Sequence, residues 1–254
     1  LLIFLAIICF STYGGIRLYF HLTHGFSVEN ITSSFKFDSR WTTSPPSPEE
    51  ESAIASILSQ EFHYLGKGCQ AYVFESQDGE YVLKFFKYQR YRSKQWVNYF
   101  TFIPLINEHC VSKSVKKTKK LEGVFQSWTV AFNHAKKETG LVYVHLNKTD
   151  HLQKKVLIYD KMGWPHELNI DQYEFLIQKK ATMLTDYIDR EMLENKESSV
   201  VALLDKLVNM IKTEYERGVA DNDPALIQNT GVIAGMPVHV DVGQFDVSEK
   251  YSDP

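Results

Sequence analysis

The stretch "YLGKGCQAYVFESQDGEYVLKFFKYQR", residues 64–90, constrains the fold more than any other. Two β-rich runs flank "QDG", the signature of an antiparallel hairpin. Ahead of them, Gly66 and Gly68 form a turn that leads into a strand and not into a helix. That order argues against a dinucleotide-binding βαβ unit, whose glycines open a helix. In the second run Val82, Lys84 and Phe86 share one face, which sets a lysine between two apolar residues.

The rest of the chain is read around this hairpin. With 254 residues and 44% apolar composition it can bury a substantial core as one two-lobed domain or two small ones. "SPEEESAIASILSQEF" has a serine and three acids ahead of Ile54, Ile57 and Leu58, an N-capped helix. Residues 93–138 read as mainly helical, with Leu121, Val124, Phe125, Trp128 and Phe132 on one side. "GLVYVHLNKT" and "KKVLIYDKMG" are two strands. A long helix is expected from about Asp171 to Glu194, and a second one ending at Gly218 as C-cap. The tail, "VADNDPALIQNTGVIAGMPVHVDVGQF", reads as a loop and a short hairpin. Strands gathered first and helices second make the class α+β rather than a parallel α/β sheet.

At the N-terminus "LLIFLAIICFSTYGGI" carries no charge before Arg17. Residues 1–24 are read as a membrane anchor, with a cleaved signal segment and a buried core element as alternatives. The chain opens on leucine, so a start farther upstream is expected. Residues 25–50 are polar and proline-bearing and read as a linker. Residues 51–163 form the first lobe and 164–254 a helical second lobe, minimal or truncated. An anchored domain would face the cytoplasm. A cleaved signal would make the protein secreted.

Several classes are excluded or left without support. A net charge of −3 gives no sign of a general nucleic-acid binder. The run "KSVKKTKK" (Lys113 to Lys120) is taken as a solvated stretch, with a contact to anionic lipid or phosphate as the alternative. The three cysteines and nine histidines show no zinc-ligand spacing.

Four features could carry chemistry. The turn Gly66-x-Gly68-x-x-Ala71-x-Val73 lets backbone amides approach a polyphosphate. Lys84, in the strand after it, could reach those phosphates, or could blunt a sheet edge. Asp221, Asp223 and Asn229 share a loop after a long helix. Asp241 sits between strand residues, two before Gly243, where an acid needs a partner or a cation.

Taken in order, these parts resemble the protein-kinase-like superfamily from about residue 61 to residue 246, and "GVAD…N…HVDVGQF" is most similar to its atypical, lipid-kinase-like branch. The resemblance implies a two-lobed fold with a small antiparallel β lobe and a minimal helical lobe behind the N-terminal hydrophobic helix. It implies ATP and Mg²⁺ as cofactors. Gly66, Gly68 and Ala71 would cover the phosphates, Val73 would pack on adenine, and Lys84 would contact the α and β phosphates. Tyr159 to Met162 would form the hinge against adenine. Asn229 and Asp241 would hold Mg²⁺, and Asp221 or Asp223 would orient or deprotonate an acceptor hydroxyl on an unknown protein, lipid or small molecule. Asp223 stands one residue farther from Asn229 than the family's spacing, and no His-Arg or Arg-His pair flanks either aspartate. Glu122, with Glu108 and Glu138 as alternatives, would pair the lysine. The expected function is an ATP–Mg²⁺-dependent phosphotransferase. A catalytically inactive kinase-like binding module at a membrane is the alternative, and a membrane-anchored domain without a nucleotide site is a third reading.

Overall fold

The computed structural model describes residues 2–92 and 104–251. The chain opens with the apolar helix α1 (Leu2–Thr23), which buries nothing against the domain along its apolar window. A short turn of helix, α2 (Val28–Ile31), follows, and then α3 (Pro48–Ile57). The start of α3 is fixed by a reciprocal cap: Glu50 N donates to Ser47 Oγ while Ser47 N donates to the Glu50 carboxylate, with proline at the first helical position.

The core element is a seven-stranded sheet. Its strands are β1 (Phe62–Lys67), β2 (Ala71–Ser76), β3 (Tyr81–Phe86), β4 (Leu141–His145), β5 (Lys155–Tyr159), β6 (Pro165–Asn169) and β7 (Phe175–Lys179). Their spatial order is β4-β7-β3-β2-β1-β5-β6, antiparallel throughout except for the parallel β1–β5 pair. The "QDG" turn between β2 and β3 holds Gly79 at φ +75°, and the Asp78 carboxylate accepts from Ser76 Oγ and Glu80 N.

The two faces of the sheet are covered differently. One packs Phe62, Phe74, Leu83, Phe85 and Phe175 against Ile54 and Ile57 of α3 and Leu58 just after it. The same layer takes in Phe26 and Ile31, so residues 25–50 are not wholly a solvated linker. Ser33 is buried too, and its hydroxyl donates to the Glu174 carboxylate at 2.6 Å. The other face is covered by α4 (Pro104–His134), whose Leu121, Val124, Phe125 and Trp128 are buried as their spacing requires. Trp128 stacks on Phe86 of β3 at 3.9 Å between ring centroids. The basic run Lys113–Lys120 lies on the solvent side of α4.

A short helix, α5 (Lys136–Thr139), leads into β4. The expected helix from Asp171 to Glu194 is replaced by β7, by the two-residue strand β8 (Thr182–Met183) and by a shorter helix, α6 (Leu184–Leu193). Phe175, Leu176 and Ile177 are buried between β3 and β4, so this continuous apolar run forms the second-from-edge strand and not a helix. The sheet therefore continues past residue 163.

The helix α7 (Glu197–Glu216) follows, and Gly218 at φ +71° ends it as the sequence requires. A Cβ on Gly218 would stand 3.2 Å from the Ser248 carbonyl oxygen. The remaining elements are β9 (Val219–Asp221), α8 (Leu226–Asn229), β10 (Thr230–Ile233), β11 (Met236–His239) and β12 (Phe245–Val247). β10 and β11 form a hairpin whose two turn residues, Ala234 and Gly235, both have positive φ. The whole is a mixed, antiparallel-rich α/β domain behind an apolar helix.

Candidate functional site

Small-molecule sites are clefts of about 300–1,000 Å³, and one of about 680 Å³ opens between the glycine turn, β3 and the segment that leaves β7. Gly66, Val73, Val82, Lys84, Gln178 and Val240 are among the residues that line it. Its roof is the β1–β2 hairpin. A bulge between Tyr64 and Gly66 bends β1, and the turn closes through Gly68 N donating to Ala71 O at 3.0 Å. Lys87 Nζ donates to the Gly68 carbonyl and the Arg90 guanidinium to the Cys69 carbonyl, so two cations fix the turn from outside. Burial pushes the Lys87 ammonium down to about 8, and the neighbouring Lys67 and Arg90 add to the fall.

The glycines of this turn have no reason within the chain. Neither Gly66 nor Gly68 has a positive φ, and a Cβ on either would meet nothing within 4 Å. Gly243 is the opposite case: a Cβ there would lie 2.4 Å from the Gln70 side-chain amide. The turn thus reaches across the cleft and touches the Asp-x-Gly segment.

Lys84 crosses the cleft in the same sense. It is buried on β3, and its Nζ donates to the Val240 carbonyl, one residue before Asp241, at 2.7 Å. Burial lowers its ammonium to about 8, and the Asp241 charge holds it partly up. None of the glutamates expected to pair it does so within the described residues. Glu122 is engaged by Arg40 at 3.0 Å and Glu138 by Arg217 at 2.8 Å, while the Glu108 side chain lies outside the described residues.

On the opposite side Val240, just past β11, lines the cleft, whereas Asp221, Asp223, Asn229 and Asp241 are not among its lining residues. The β10–β11 hairpin carries this segment. Its stem joins Asn229 to the Asp241 segment, with Val240 N donating to Asn229 O at 2.7 Å. Asp241 accepts from Gly243 N at 3.0 Å, which turns the chain sharply. Helix α4 pins the same segment: Ser127 Oγ donates to Val242 O and accepts from Phe245 N, both at 2.6 Å.

The two loop aspartates stand in different surroundings. The Asp221 side chain is 8% exposed, its Oδ2 lies 3.3 Å from His239 Nδ1, and its Oδ1 accepts from Asp223 N. His239 Nε2 lies 3.0 Å from the buried Glu214 carboxylate. Burial alone would lower the His239 pKa. The Asp221 and Glu214 carboxylates facing its two ring nitrogens outweigh it and raise the imidazole to about 9. Asp223 is only half-buried; its carboxylate accepts from Ala225 N at 2.9 Å and from Gln244 Nε2 at 2.7 Å. The cation that the loop sequence lacks beside its acids is therefore His239, delivered from β11.

Tyr159 and Met162 stand apart from the cleft. β5 pairs with β1, on the side of the sheet away from β3, so its end cannot border Lys84. Tyr159 stacks on His63, and Met162 is exposed in the β5–β6 turn. The strand whose end does border the cleft is β7, because it pairs with β3. Its Gln178 is 2% exposed and donates to Thr139 O and His239 O, while its Oε1 has no hydrogen-bond partner among the described residues. A polar residue closing the apolar run "FLI" was the available signal for it.

No protein-family model matches this chain. No curated protein matches it either. Among solved structures it is similar to one described as the medium-resolution structure of the bifunctional kinase-methyltransferase WbdD, with 13% identity and a TM-score of 0.37. The match covers 71% of this chain and 31% of that one, so the chain spans less than a third of that protein's length. A likeness this distant carries no argument about chemistry.

Proposed function

We propose that the protein is an ATP–Mg²⁺-dependent phosphotransferase acting on a hydroxyl acceptor. The observation that carries the reading is the 2.7 Å contact of Lys84 Nζ with the Val240 carbonyl, inside a cleft that is also lined by Gly66, a glycine that the fold itself does not need. The nucleotide base would lie between Val73, Val82 and Met183, with the segment from Gln178 to Ala181 along its edge. This segment takes the part that the sequence gives to Tyr159–Met162.

The triphosphate would run under Gly66 and Gly68 toward Lys84. Asp241 and Asn229 offer a carboxylate and an amide oxygen from the two ends of one hairpin, a hard donor set that suits Mg²⁺ and its retained waters. Magnesium bound there would neutralise charge on the transferring phosphoryl group. Asp223 is the better candidate base, because Asp221 is committed to His239. In the reaction Asp223 takes the acceptor proton, the acceptor oxygen bonds the γ-phosphorus, the bond to the bridging oxygen breaks, and ADP departs. Most of the rate then comes from positioning and charge stabilisation.

One observation favours a second reading, a nucleotide-binding module without transfer: Asp223 is one residue farther from Asn229 than the family's spacing. Thermal shift with Mg²⁺ and ATP tests binding. The expected result is a rise in melting temperature that needs both, and that Lys84→Ala and Asp241→Ala abolish. A rise that persists in both variants removes the site assignment. Transfer of labelled phosphate from ATP, lost in Asp223→Asn, separates the enzyme from the module.

A further inference from the structure

The turn between β5 and β6, Asp160 to Trp164, is clasped to the C-terminal end of α1. Lys161 Nζ donates to the His21 carbonyl and to His24 Nε2, each at 2.8 Å. His24 Nε2 must be the acceptor, since an ammonium only donates, so Nδ1 carries the proton and donates to Tyr64 Oη at 3.0 Å. Lys67 Nζ donates to the His24 carbonyl at 3.0 Å. Two lysines thus meet the negative end of the helix, as the helix dipole favours. A cap explains the lysines. It does not explain their neighbours: Trp164 is 65% exposed and Met162 is 47% exposed, in the same turn.

The height of this turn along α1 is informative. The helix carries no charge from Leu2 to Ile16, then has Arg17 and His21, and His24 follows its last residue. Among the described residues, Ile3–Thr23 alone is long and apolar enough to cross a membrane, with a mean hydropathy of 1.6 and none of its window buried in the domain. At 1.5 Å per residue, Arg17 to His21 covers about 6 Å, roughly the depth of a lipid headgroup layer. A notch lined by Arg17, Phe20, His21 and His24 opens at the same level. Tryptophan favours this layer, where its ring meets glycerol and upper acyl chains and its N–H meets water.

We propose that α1 enters a bilayer and that the Asp160–Trp164 turn is the domain's footing on it. Trp164 and Met162 lie in the interfacial layer, and Arg17 and Lys161 face lipid phosphates. The occupant of this face is a lipid surface with anionic headgroups, because the apolar side chains stand beside basic ones at the point where an apolar helix leaves the domain. Lys67 lines the cleft and bonds His24, so the footing also fixes the cleft relative to the helix.

The test uses the full chain reconstituted into phosphatidylcholine vesicles whose upper acyl chains are brominated, with tryptophan emission as the readout. Bromine should quench the wild type, and Trp164→Phe should lose at least half of the quenched emission. Trp164 is exposed, so this change leaves the fold intact. Equal quenching in wild type and Trp164→Phe overturns the footing, as does the absence of quenching in the wild type. Adding one part phosphatidylglycerol to about two parts phosphatidylcholine should increase the quenching through the basic groups. Lys161→Glu should abolish that increase. An increase that survives in Lys161→Glu overturns the headgroup contact.

Discussion

The two walls of the cleft are built on different principles. The strand wall is made by local pairing: β1, β2 and β3 are consecutive, and Lys84 is held by the sheet. The loop wall gives the cleft Val240, and behind it stands long-range charge: Asp221 follows α7, His239 ends β11, and Glu214 lies in the last turn of α7, all with side chains at most 8% exposed. A buried ion pair adds little net stability over apolar packing, but removing one partner strands the other. The loop wall should therefore be the brittle one and the strand wall the tolerant one.

Glu214→Ala attacks the brittle wall and should give the largest effect. It leaves His239 buried with half its counter-charge, at a cost of about 3–5 kcal/mol. Melting should fall by roughly 10 °C for a chain of this size. Acidity reports the same contact. His239 is raised in the folded protein from its ordinary 6.5 to about 9, so its stabilisation is complete below pH 6.5 and is lost as pH rises through 9. Wild-type melting should fall across that window, and Glu214→Ala should flatten the fall. If it melts like the wild type, the contrast between the walls is gone.

The next change separates the two acids of the loop wall. Asp223→Asn should leave melting near the wild type and reduce phosphate transfer by at least about 10²-fold, the usual cost of losing a general base. Asp221→Asn should instead lower melting, because its carboxylate faces buried His239. The reverse pattern would exchange their roles.

How far these walls could be read in the sequence follows the same division. The hairpin, its glycine turn and Lys84 are local patterns, and so is the β10–β11 hairpin that links Asn229 with Asp241. The buried stripe of α4 is local as well. What escaped is what depends on sheet order. Phe175–Lys179 opens with a short continuous apolar run, which suits a buried helix or a buried strand alike, and β3 and β4 on either side make it a strand. The end of β5 looks like a hinge until its pairing with β1 sets it far from Lys84. His239 as the cation for Asp221 joins side chains from three elements, a combination no local window contains.

Gly66→Val tests the tolerant wall. The new side chain meets no protein atom and sits in a strand, where a β-branched residue fits, so stability should stay within about 0.5 kcal/mol. If the glycine exists for a ligand, the valine should weaken Mg²⁺–ATP binding by about tenfold, roughly 1.4 kcal/mol. Unchanged affinity would return the hairpin to an ordinary structural role.

The smallest expected effect concerns Cys69, at the tip of the same turn. Its thiol is exposed, and its carbonyl is held by Arg90. Gln70, the next residue, reaches the Asp-x-Gly segment, so the tip spans both walls. A nucleotide under the turn would still the tip and shield the thiol. Alkylation of Cys69, followed by peptide mass, should slow severalfold with Mg²⁺ and ATP and recover in Lys84→Ala. Cys9, on α1 away from the cleft, supplies the control: whatever its rate in a bilayer, that rate should not depend on nucleotide. Protection of both thiols would report a global change and not occupancy. Protection of Cys69 alone, lost when Lys84 is lost, would tie the tip, the strand lysine and the ligand into one site.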